Sequence, residues 1–197
     1  PDYVEQASTV DSVLEALPTG TLPTTGTVRQ IVFDSDIGPR SSFGIALPAF
    51  EGSRYVGFHS NTDGTPRERW GIQLDQALPA GQPAQIRYRL AVADAGTRNW
   101  DNPGRAWVYG GATWGATDQL VGISQVVTGS AAGWVEVVLN VTPVADISHL
   151  YIYAEGTAGT ETYLGFDDFR VFLSDLPLDS DGDGIADYLD LDSDHDG

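Results

Sequence analysis

Between Arg29 and Leu173 apolar residues recur at every second position in short runs, and clusters of Gly, Pro, Asn and Asp separate the runs. Alternation with a period of two is what a strand buried on one face requires, because successive side chains leave a pleated backbone on opposite sides. The runs fall near 29–34, 53–59, 67–74, 84–93, 106–111, 119–127, 134–141, 150–154 and 163–173. In the fourth, Ile86, Tyr88, Leu90 and Val92 share one face while Arg87, Arg89 and Ala91 share the other; in the third, Trp70, Ile72 and Leu74 oppose Arg69, Gly71 and Gln73. Asn61-Thr62-Asp63-Gly64, Pro79-Ala80-Gly81 and Asn102-Pro103-Gly104 have the residues that tight turns select, since glycine accepts positive φ and proline presets φ. A single short helical turn is expected within Val10–Leu17. Nine strands joined by turns predict an all-β fold, an antiparallel β-sandwich of the jelly-roll type.

The pattern changes at Ser174. Over Asp179–Asp190 the spacing places Asp179, Asp181 and Asp183 at positions one, three and five of a twelve-residue loop, Gly184 at six, the Ile185 carbonyl at seven, Asp187 at nine and Asp190 at twelve. A hard cation takes six to eight oxygens, alternate carboxylates deliver them as the chain curls round it, and glycine permits the bend at six. The pattern restarts with Asp192, Asp194 and Asp196. Calcium (Ca2+) is therefore the expected metal. A solvated acidic run is the alternative reading, but here every aspartate lies on a ligand position, with Ile185, Tyr188, Leu189 and Leu191 between them to pack. Asp190 replaces the glutamate of a helix–loop–helix calcium site, and Pro177 precedes the loop without a helical pattern. The stretch resembles the thrombospondin type 3 repeat of bacterial surface proteins, which implies a calcium-stiffened connector. The expected organisation is a sandwich over residues 1–173 and a truncated calcium repeat over 174–197.

Composition narrows the function. Of 28 acidic residues, nine aspartates lie in the tail, which leaves 19 acids against 10 arginines, or −9, for the body of a chain whose total charge is −18. That surplus repels phosphate backbones and anionic lipid, so neither nucleic acid nor a membrane surface is an expected partner, and no apolar run is long enough to span a bilayer. The chain has no cysteine, so disulfides contribute nothing. Loops of this kind fill at the ~10⁻⁴–10⁻³ M calcium met outside cells, which points to a secreted or cell-surface location. Opening at Pro1 and stopping inside a second aspartate run, the sequence reads as a segment of a larger multidomain chain.

The order of elements in the body carries a resemblance. Gly52-x-x-Tyr55-x-Gly57-Phe58, then Arg67-Glu68-Arg69 leading Trp70–Leu74, a Pro/Gly turn, a long alternating strand, Gly133-Trp134-x-Glu136-Val137 and the closing run from Tyr163 to Leu173 resemble the jelly-roll carbohydrate-binding modules of secreted bacterial enzymes and related domains of bacterial surface proteins. That resemblance implies sugar binding without catalysis. It also implies that Asp167, in the paired Asp167-Asp168, ligates a structural calcium; a salt bridge to an arginine or a turn cap is the alternative. By alternation Asp167 shares parity with Phe169, Val171 and Leu173 and should enter the apolar side.

Aromatics and polar groups concentrate in one stretch. Trp100, Trp107, Tyr109 and Trp114 are interleaved with Asn99, Asp101, Asn102 and Arg105. Sugars present a flat CH face to aromatic rings and hydroxyls to amides, carboxylates and guanidinium groups. Trp100 and Trp114, in loop-like surroundings, are the expected stacking rings, with Tyr109, Asn99, Asn102 and Arg105 around them; Trp70 and Trp134 read as core anchors. The surplus of acids favours a neutral glycan, unless Arg87, Arg89 and Arg105 gather into a local basic cluster. His59, His149 and His195 lack zinc spacing and no nucleophile motif occurs, so an enzyme is not expected. A structural or protein-interaction domain without sugar binding is the other reading.

Nine carboxylates repel one another until a cation intervenes, so amide hydrogen exchange over residues 175–197 should slow markedly on adding calcium and revert with chelator. Exchange that is the same in both conditions would contradict the calcium reading.

Overall fold

The computed structural model describes residues 3–5, 30–33, 36–39, 45, 47–64, 68–92, 99–113 and 117–174. The Val10–Leu17 turn, Trp114 and the whole aspartate repeat lie outside them. Eleven strands occur among the described residues: β1 (Tyr3–Glu5), β2 (Gln30–Phe33), β3 (Asp36–Gly38), β4 (Tyr55–His59), β5 (Arg69–Leu78), β6 (Ala84–Val92), β7 (Gly104–Gly111), β8 (Gln119–Ile123), β9 (Val135–Val141), β10 (Ile147–Gly156) and β11 (Tyr163–Ser174). All pairings are antiparallel. One sheet, A, runs β3-β4-β11-β6-β9, with β1 joining the far end of β11; the other, B, runs β2-β5-β10-β7-β8. The chain is an antiparallel β-sandwich, as its alternation predicts. The two strands not expected from sequence, β1 and β3, are three residues each, too short to carry a period.

The inward faces follow the alternation. Ile86, Tyr88, Leu90 and Val92 from β6 meet Trp70 and Ile72 from β5, all of them buried. At the centre Phe166 lies 4.5 Å from the Tyr88 ring, 4.7 Å from Trp70 and 5.8 Å from Phe169, centroid to centroid. Offset and edge contacts of this kind add to the burial of large rings, which dominates the energetics of a core. A smaller apolar cluster of Ile45, Tyr55, Trp100 and Tyr163 sits apart from it, with Leu47, Ala49 and Trp134 packed against it. Here Gly57 and Gly165 face each other across β4 and β11. A Cβ on Gly57 would stand 1.7 Å from the Tyr163 hydroxyl and one on Gly165 2.9 Å from the Trp134 ring, so the strands carry glycine where aromatic rings lie over the backbone.

Within sheet A the register shifts once among the described residues, in β11. Asp167 pairs with Arg89 but Arg170 pairs with Arg87, so β11 advances three residues while β6 advances two. This is a β-bulge, and the extra residue, Asp168, has φ 49°, the one positive φ among described non-glycine residues. Aspartate tolerates that region better than most side chains. The bulge lets Phe166 and Phe169 both face inward and leaves Asp167 on the outer face. This corrects the parity expected for Asp167, which assumed an unbroken pleat.

Candidate functional site

On sheet B the outward positions of two neighbouring strands bring aromatic and charged groups together. Along β7, Gly104, Ala106, Val108 and Gly110 are buried while Arg105, Trp107 and Tyr109 are half-buried on the other face. Along β10, Leu150, Ile152 and Ala154 are buried in the core, and Tyr153 and Glu155 stand half-buried opposite. The register sets Trp107 across from Tyr153 and Arg105 across from Glu155. The Trp107 and Tyr109 rings are nearly parallel, 11° apart with centroids 6.2 Å apart, because they occupy alternate positions on one strand. Tyr153 meets Tyr109 edge-on at 5.7 Å. Trp107, Tyr109, Thr117, Tyr153 and Glu155 line an open groove of about 400 Å³.

Glu155 fixes the geometry at one end. Its Oε2 accepts the Trp107 indole N–H at 2.7 Å and also the Arg105 Nε–H, while the Arg105 guanidinium lies 5.3 Å from the Trp107 ring. The hydrogen bond from Arg105 is the main cause that holds the Glu155 carboxyl below its ordinary range; burial opposes it, and the indole N–H adds to it. Trp107 therefore keeps a fixed tilt with one face toward the groove.

The residues expected from sequence divide. Tyr109 and Arg105 belong to this groove. Trp100 does not: only 8% exposed, it stacks at 8° on Tyr163, lies 4.7 Å from the His59 ring and donates its indole N–H to Glu161. It anchors the smaller core, which corrects its reading as an open stacking ring. Asn102 Nδ2 donates to the Asn99 and Glu161 carbonyls, both at 2.8 Å, so it holds its own turn, and Asn99 is exposed beside it. Trp114 lies outside the described residues, as do Asp179, Asp181, Asp183, Ile185, Asp187, Asp190, Asp192, Asp194 and Asp196. Trp107 belongs to the aromatic stretch noted in the sequence but not to its expected contacts, and Tyr153 and Glu155 lie outside that stretch. Their signal is parity: Arg105, Trp107 and Tyr109 alternate with Ala106 and Val108, as Tyr153 and Glu155 do with Ile152 and Ala154.

Asp167, expected from the resemblance to ligate calcium, accepts backbone hydrogen bonds. Its Oδ2 accepts the backbone N–H groups of Phe50 at 2.7 Å and Glu51 at 3.1 Å, and its Oδ1 that of Asp168 at 2.9 Å. Burial raises its pKa, and these three bonds restrain the rise. Asp168 turns instead to Arg170, 2.6 Å away. The two carboxylates are aimed in different directions, Asp167 as a turn cap and Asp168 in an ion pair. Among the described residues no three His, Cys, Asp or Glu side chains could hold a metal. His59 is flanked by Glu68 at Nδ1 and Glu161 at Nε2, each 3.6 Å away, on opposite sides of its ring.

No protein-family profile matches the chain, and no curated protein does. Solved structures do. The CBM22-1 xylan-binding domain from Paenibacillus barcinonensis Xyn10C is 18% identical, with 79% of this chain and 92% of that one covered at a TM-score of 0.48. The K2 cleaved adhesin domain of Lys-gingipain is 12% identical over 88% of this chain and 99% of that one, at 0.50. A cyclase from Fischerella sp. TAU is 13% identical over 80% and 81%, at 0.50. The likeness is one of fold. A similar sandwich carries an adhesin domain and a cyclase, so function has to come from the site. Among the described residues no helix is long and apolar enough to cross a membrane.

The Glu155 clamp generates a pH expectation. With its folded pKa depressed, its contribution is complete above the unfolded value of ~4.3 and is lost as pH falls through the lower folded value. The Trp107 indole N–H resonance should hold its position down to about pH 4 and move only below it, and Glu155→Gln should abolish the transition. An indole signal that already shifts between pH 6 and 5 would contradict the clamp.

Proposed function

We propose that the chain is a non-catalytic carbohydrate-binding module that takes a neutral glycan in the sheet B groove. The observation that carries this reading is the surface formed by Trp107, Tyr109 and Tyr153, three half-buried rings on adjacent strands with a fixed Glu155–Arg105 pair at one end. Flat rings receive the CH face of a pyranose, while the phenol groups, the Thr117 hydroxyl and Glu155 offer donors and acceptors for its hydroxyls. Two rings set at alternate positions of one strand suit successive units of a chain better than a single isolated sugar.

Catalysis is disfavoured by the chemistry of the same groove. Glycosidase action needs two carboxylates with separate protonation states. Glu155 is the one acid among the described lining residues, and it is committed to Arg105 and Trp107. Carbohydrate-binding modules among the solved structures of similar fold agree with this reading without carrying it. In the same proposal the aspartate repeat binds calcium and stiffens the connection to the rest of a secreted or surface protein, so that several modules on one surface could act together.

Each stacking ring is worth about 1–3 kcal/mol by analogy with base stacking. Trp107→Ala should therefore weaken binding to a responsive neutral polysaccharide by about 5- to 150-fold, and Tyr153→Ala by a similar amount, with Trp100→Ala acting through stability instead. Affinity electrophoresis against a panel of soluble β-glucans, xylans and galactans reads this out. Retardation unchanged in both groove variants would refute the site, and no retardation by any neutral polysaccharide would favour the structural or adhesion role.

A further inference from the structure

The outer face of sheet A, on the opposite side of the sandwich from the groove, carries a second concave site of about 270 Å³ lined by Phe50, Arg87, Arg89, Glu136, Asp168, Arg170 and Phe172. Arg105 lies on the other sheet and does not gather with Arg87 and Arg89; the bulge in β11 brings Arg170 beside them instead. We propose that this site binds the carboxylate of an acidic sugar.

The arginines are held in place before any ligand arrives. Arg87 lies 4.7 Å from the Phe172 ring centroid and Arg89 4.5 Å from that of Phe50. A guanidinium resting on a ring keeps its N–H groups for acceptors at its edge and loses little freedom on binding. The acids nearby are unevenly shared. Asp168 is taken by Arg170 at 2.6 Å and lies 3.6 Å from Arg89; Glu136 is 3.6 Å from Arg89, and Glu51 is 3.3 Å from Arg170. Arg87 has no carboxylate partner among the described residues. Its Nε donates to the neutral Gln85 amide oxygen, and Gln85 is itself locked by a 2.9 Å bond to Asn140. The terminal nitrogens of Arg87 have no acceptor among the described residues. A planar anion meets that geometry with two parallel N–H···O bonds.

Size and surroundings select the ligand class. The volume falls just below the ~300–1,000 Å³ range of small-molecule sites, enough for one charged ring and not for a chain threaded through it. Phe50, 46% exposed at the rim, offers a face for the ring that carries the carboxylate. The body's net charge of −9, from 19 acids and 10 arginines, opposes any anion at long range. At physiological salt the Debye length is ~8 Å, so contacts within the site outweigh distant charge.

The test is a titration of the isotope-labelled chain with glucuronate, followed by NMR of the Arg Nε–H and backbone amides. Glucose and acetate separate the ring from the charge. Glucuronate should move the signals of Arg87, Arg89, Arg170 and Phe172 at low millimolar concentration, and raising the salt should weaken it several-fold. Glucose should leave them in place, and acetate should bind at least tenfold more weakly. Arg87→Gln should cut glucuronate binding about tenfold, whereas Trp107→Ala should leave it unchanged; Arg87→Lys, which keeps the charge but not the paired donors, gives an intermediate loss and replaces Arg87→Gln if that variant does not fold. Absence of shifts at tens of millimolar, acetate binding as well as glucuronate, or shifts abolished by Trp107→Ala would each overturn the proposal. Because the sheet B groove is monitored by Trp107 and this site by Arg87, either can fail while the other stands.

Discussion

The bulge at Asp167–Asp168 is the constraint on which the rest of the sandwich depends. β11 pairs with β4, β6 and β1, so one extra residue in it resets the register of a whole sheet. Because of it, Phe166 and Phe169 both enter the core, and Asp167 is freed to cap the Phe50–Glu51 backbone from the outer face. The same displacement swings Asp168 between Arg89 and Arg170. A backbone φ of 49° at a non-glycine residue carries some cost, and it persists because core packing, three backbone hydrogen bonds and two ion pairs all require it.

Sheet B has no such irregularity along its β7–β10 seam, and that regularity is what builds the groove. Eight consecutive pairs between β7 and β10 keep Arg105, Trp107 and Tyr109 on one face and align them with Glu155, Tyr153 and Tyr151. The rings are carried on strands rather than loops, with Trp107 clamped through its indole N–H. A binding surface built this way loses little entropy when a ligand lies on it.

Much of this was legible in the chain. The alternation in β5 and β6 named the core residues correctly, since each strand is long enough for its period to be unambiguous. A bulge is invisible to that reasoning, because parity counted along the sequence presumes an unbroken pleat; hence the wrong face for Asp167. Trp100 sits among turn residues that suggest exposure, yet its burial comes from Tyr163, His59 and Glu161, distant in sequence and brought near by the fold. Trp107, part of the aromatic stretch, shares parity with Arg105 and Tyr109, which by itself places it away from Ala106 and Val108. That Arg170 and not Arg105 accompanies Arg87 and Arg89 depends on which strands share a sheet, which no local pattern reveals.

Two concave surfaces of opposite character occupy the two faces of one sandwich, aromatic on sheet B and arginine-rich on sheet A. In the proposed function the aromatic face receives a neutral sugar chain. Amide chemical-shift mapping with a neutral β-linked hexasaccharide is the sharpest test of that function. Shifts should be confined to β7, β10 and the Thr117 segment, with the Trp107 indole signal moving most. Shifts centred on β6 and β11, or around Trp100, would contradict it.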